Sequence, residues 1–83
     1  MKTLSEKIKE HSTMLSCIEN VVDEISWRKK SAQESVDEYE IQIKEFREEH
    51  DGEENEFLIQ RKEEQQYRIE CFNKIEEALE KLI

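Results

Sequence analysis

From Leu4 to His50 an apolar residue recurs at alternating intervals of three and four. The series runs Leu4, Ile8, His11, Leu15, Ile18, Val22, Ile25, Lys29, Ala32, Val36, Tyr39, Ile43, Phe46 and His50, and only His11, Lys29 and His50 depart from apolar or aromatic character. A repeat averaging 3.5 residues holds a single stripe on one side of an α-helix, and such stripes bury themselves by interlocking with another helix. This predicts an all-α chain: a long helix and a shorter one in an antiparallel coiled-coil hairpin that assembles into a multi-helix bundle.

The absence of proline and the presence of one glycine suit long helices and leave few turns for a sheet. Eighty-three residues, 42% of them charged, make a single domain over residues 1–83 that buries only a modest core alone. Charge at this level is also a mark of disorder. The regular apolar stripe argues against disorder once a partner helix covers it.

Helix boundaries follow from local chemistry. Thr3-Leu4-Ser5-Glu6 has the form of a capping box, in which hydroxyl and carboxylate each accept from an otherwise unpaired backbone N–H. The first helix is expected over about 3–49. A turn follows over about 50–54, where Gly52 can take the left-handed conformation that ends helices. The second helix is expected over about 55–82, its start among the acidic residues Glu53 to Glu56, which suit the positive end of a helix dipole. Ser31-Ala32-Gln33-Glu34 offers a second capping box, and a break near Ser31 would give a three-helix bundle instead. The stripe keeps its phase through that point, which favours a continuous helix.

The second helix carries its densest apolar line at Phe72, Ile75, Leu79 and Leu82, with Phe57, Leu58, Ile69 and Ile83 also apolar. Between Gln60 and Arg68 only Tyr67 interrupts a polar run, so packing should be weakest there. A helix of about thirty residues covers only the last thirty or so of the first. Residues 3–20 then overhang, leaving Leu4, Ile8, Leu15 and Ile18 to be covered by a second chain. The expected assembly interface is therefore Leu4, Ile8, Leu15, Ile18, Val22, Ile25, Val36, Tyr39, Ile43 and Phe46 of the first helix with Phe72, Ile75, Leu79 and Leu82 of the second. Positions beside the stripe form no complementary ion pairs in a parallel dimer, and Met14, Val21 and four serines widen the buriable face. Trp27 and Ile41 fall opposite the stripe, four turns apart. They are stray surface residues or candidate partner-binding anchors, since Trp is favoured at interface hot spots.

Net charge is −9, and residues 31–60 carry two basic and eleven acidic side chains. So acidic a stretch repels nucleic acid and anionic membrane, and neither is an expected partner. Cys17 and Cys71 stand far apart without a C-x-x-C, and Lys7, Lys9, Glu10 and His11 interrupt any N-terminal leader, so reduced thiols in a cytoplasmic or nuclear protein are expected. No phosphate loop, nucleophile elbow or zinc-protease motif occurs. The Glu-x-x-His spacing of di-iron bundles fails, because Ile8 precedes His11 and Arg47 precedes His50 by three residues. No enzyme activity, metal or cofactor is expected. The leading functional expectation is a structural or adaptor subunit acting by helix packing, as a homodimer or hetero-oligomer. The alternative is a small acidic hairpin that masks a partner protein as a chaperone or inhibitor, in one form by mimicking nucleic acid.

Overall fold

The capping box at Thr3 forms as its residues require. The Glu6 N–H donates to Thr3 Oγ1 over 3.2 Å, and the Thr3 N–H donates to Glu6 Oε2 over 3.4 Å. From that cap the computed structural model, which describes residues 1–82, carries one uninterrupted helix, α1, over Leu4–Glu49. It passes through Ser31 without a break, so the three-helix alternative does not occur. With no Gly or Pro to interrupt it, the chain there continues the i→i−4 ladder rather than using the local serine cap.

Two consecutive left-handed residues close the helix. Asp51 has φ +52° and Gly52 has φ +86°. The Gly52 N–H reaches back to the Arg47 carbonyl at 2.8 Å, the Glu53 N–H donates to the His50 carbonyl at 3.1 Å, and the His50 N–H donates to Phe46 at 3.0 Å. This is a Schellman-type ending with aspartate, rather than glycine, in the first left-handed position. Asn55 then caps the second helix, α2, over Glu56–Glu80, its side-chain oxygen accepting from the Leu58 N–H at 3.3 Å. Asparagine ranks among the best residues at that position.

α1 and α2 pack against each other as a hairpin, and no strand occurs among the described residues. The molecule measures 72 × 15 × 14 Å with a radius of gyration of 20.3 Å, where a globular chain of this length has about 12 Å. It exposes 7016 Å², against about 5,300 Å² for a globular protein of the same mass. Among the described residues only Ile25, Ala32, Val36 and Ile43 are buried, all in the stretch of α1 that α2 reaches.

Asp51 bears a side chain in a backbone region that disfavours one. Asp51→Gly should therefore raise stability by about 1 kcal/mol, several degrees in Tm. Gly52→Ala should lower it by a similar amount from backbone strain alone, since nothing lies within 4 Å of an added Cβ. Thermal melts followed by circular dichroism check both signs.

Candidate assembly surface

The inner face of α2 is more polar than its aliphatic residues suggest. Its half-buried positions include Asn55, Leu58, Lys62, Gln65, Ile69, Phe72, Glu76 and Leu79, a three-four series through its whole length. On α1 the shielded series is Leu15, Ile18, Val22, Ile25, Lys29, Ala32, Val36, Tyr39, Ile43 and Phe46. Ion pairs step outward from the turn and set the antiparallel register: Arg47 with Glu54, Glu40 with Lys62 at 3.9 Å, and Lys29 with Glu76 at 3.0 Å.

One expected line is displaced. Phe72 and Leu79 lie in the hairpin seam, but Ile75 and Leu82 lie outside it and are 44% and 64% exposed. The seam instead uses Lys62, Gln65 and Glu76, whose aliphatic stems cover apolar surface while their polar ends reach the edge. Tyr39 and Phe46 are half-buried on the α1 side, and the His50 ring stacks on Phe46 with centroids 4.1 Å apart. Ile83 falls outside the described residues.

α2 ends at Glu80, which the Lys29–Glu76 pair sets near Ile25 of α1. Beyond that point α1 continues for about six turns with no facing helix. Leu4 is 74% exposed and Ile8 62%, while Met14 and Val21, one and two heptads beyond Lys7, are also open to solvent. Leu15 and Ile18 are half-buried. His11 is exposed within this same stripe. The free end thus presents a continued heptad seam with nothing packed on it.

Trp27 and Ile41 both stay on the outer side of α1, 69% and 59% exposed, and α2 covers neither. They do not share one patch. Trp27 alone stands between two shallow depressions, one bounded by Arg28, Ser35, Arg68 and Phe72 and the other by Lys30 and Glu34. The first shows which flanks of the two helices share a face, since it joins Arg28 and Ser35 of α1 to Arg68 of α2.

Little chemistry is assembled. Among the described residues no three His, Cys, Asp or Glu side chains converge as a metal site. Cys17 is an exposed free thiol and Cys71 a half-buried one. No helix among the described residues is long and apolar enough to cross a membrane. None of the family models, curated proteins or solved structures compared with the chain matches it.

The Lys29–Glu76 pair sits in the seam with side chains 36% and 26% exposed. Replacing a partly buried pair by apolar residues is neutral to stabilising, whereas removing one partner strands the other. Lys29→Leu with Glu76→Leu should raise the free energy of unfolding by about 1 kcal/mol. Lys29→Leu alone should recover less than the double variant, and urea titrations of the parent, both single variants and the double variant measure the coupling.

Proposed function

We propose that this chain is a non-catalytic assembly subunit, structural or adaptor in role, which joins a protein partner through the α1 seam left open from Leu4 to Val21. The observation that carries the reading is that uncovered stripe. Large aliphatics repeated at heptad spacing lose about 1.5–3 kcal/mol each when left in water rather than buried. The isolated hairpin leaves Leu4 and Ile8 in that condition.

The composition of the surface supports a protein partner over nucleic acid or a lipid surface, because the chain carries a net charge of −9. Two free thiols suit a reducing compartment such as the cytoplasm. A second reading, a hairpin that masks a partner as chaperone or inhibitor, takes its support from Trp27. An indole 69% exposed between two depressions offers a second anchor away from the seam.

Site-specific photo-crosslinking tests the assembly reading in cells that make the protein. A photoreactive residue at Ile8 should give a discrete adduct, and one at the outward-facing Glu48 should give none. Loss of the Ile8 adduct on adding Leu15→Asp would tie it to the seam. No adduct at Ile8, or equal adducts at both positions, would overturn the reading, and an adduct confined to Trp27 would favour masking.

A further inference from the structure

We propose that Asp51-Gly52 is a backbone modification site, at which aspartate converts to isoaspartate through a cyclic imide, and that the closed turn gates the conversion. The site goes beyond the assembly reading, since the turn lies at the opposite end of the hairpin from the open seam.

The sequence supplies the reacting pair. The chain has three aspartates, Asp23, Asp37 and Asp51, and only Asp51 is followed by the single glycine. Glu24 and Glu38, which follow the other two, set a side chain beside the amide nitrogen that would have to attack. Gly52 sets none, and nothing lies within 4 Å of where its Cβ would stand. Asp23 and Asp37 also lie inside α1, where the next amide is held in the helical ladder. Asp51 and Gly52 are both exposed, in the turn between the helices.

The chemistry needs only water. The Gly52 nitrogen bonds to Cγ of Asp51, and a carboxyl oxygen leaves as water with the amide proton, closing a five-membered imide. Water then adds at the main-chain carbonyl carbon of Asp51, and the bond from that carbon to the Gly52 nitrogen breaks. The main chain now runs through Cβ and Cγ, with the former carbonyl carbon left as a free carboxylate. One water leaves and one returns, so mass and charge are unchanged.

The turn decides when this occurs. A peptide group is planar, so fixing the direction of its N–H fixes the whole group. The Gly52 N–H donates to the Arg47 carbonyl over 2.8 Å, and the next amide, that of Glu53, donates to the His50 carbonyl at 3.1 Å. To reach Cγ, the Asp51–Gly52 peptide has to rotate out of the first bond and give up the proton that makes it. The closed turn therefore withholds the reaction, and conversion proceeds from locally opened molecules. Asp51, held at φ +52°, makes that opening less costly than a glycine there would. The product does not rebuild the turn, because an added main-chain methylene enlarges the ring that the Gly52–Arg47 bond closes. Modification thus records opening and loosens the link between α1 and α2.

Ageing the purified chain at physiological temperature and near-neutral pH tests both steps. One portion stays folded in buffer, another is unfolded in guanidinium chloride, and fragmentation mass spectrometry locates isoaspartate residue by residue. Conversion at residue 51 should run about tenfold or more slower in the folded chain. Asn55→Ala removes the cap beside the turn and leaves the reacting pair in place, so its folded form should convert at an intermediate rate. Equal rates in the folded and unfolded parent would overturn the gating. No conversion at residue 51 in the unfolded chain would overturn the site itself. The modified fraction, separated by chromatography, should melt several degrees below the unmodified protein, and an identical melt would overturn the loosening of the hairpin.

Discussion

Two helices of unequal length can close a shared seam only over the shorter of them. α1 runs Leu4–Glu49 and α2 runs Glu56–Glu80, and both bear a seam over essentially their full length. Everything else about the molecule depends on that mismatch. It concentrates the buried residues Ile25, Ala32, Val36 and Ile43 in the stretch of α1 that α2 can reach. It stretches the molecule to 72 Å. It also leaves the remaining turns of α1 with the chemistry of a core and the exposure of a surface.

Within the covered half, the seam trades stability for register. Lys29, Lys62, Gln65 and Glu76 occupy positions where aliphatic residues would pack more favourably. Polar seam residues are satisfied in only one alignment, which is their best-attested structural use. Sliding α2 by one heptad would carry Glu76 roughly 10 Å along the axis from Lys29, and the same slip would separate Lys62 from Glu40. An all-aliphatic α2 would hold more tightly but would tolerate several alignments, and the end of α2 would no longer mark a defined limit to the free seam. The acidic surface adds to this control, because like charge discourages hairpins from packing laterally on one another.

The hairpin was legible in the sequence because α1 announces itself twice, by an unbroken stripe and by a capping box whose hydrogen bonds form as the residues require. Gly52 likewise marked the turn, although Asp51 shares the left-handed conformation with it, a role that aspartate tolerates better than most residues. The seam of α2 was not legible in the same way. A reading weighted to aliphatic residues selects Phe72, Ile75, Leu79 and Leu82, whereas the helix turns Ile69, Phe72, Glu76 and Leu79 inward. The missed signal was the three-four spacing itself, which continues from Asn55 through Leu58, Lys62 and Gln65 once polar residues are allowed to occupy it. Asn55 was also the better start signal than the acidic cluster around it, since a side-chain acceptor satisfies a specific N–H where a nearby charge only favours the dipole.

That displacement has a consequence for how the molecule presents itself. Ile75 and Leu82 follow Arg68 by one and two heptads, and Val21 and Met14 precede Arg28 by the same intervals. Arg28 and Arg68 border one depression between the helices, so all four apolar residues belong to that same flank, at the end of the hairpin away from the turn. The opposite flank carries Glu19, Ser26, Gln33, Asn73 and Glu80 at the equivalent positions and stays polar. Isolated apolar residues stand exposed elsewhere, Trp27 and Ile41 on the outer side of α1 and Phe57 beside the turn, but the continuous apolar run lies along the open end and the one side leading into it. A partner arriving along the free seam meets that apolar flank as a continuation of the same surface. The residues that fall outside the internal seam thus extend the external one.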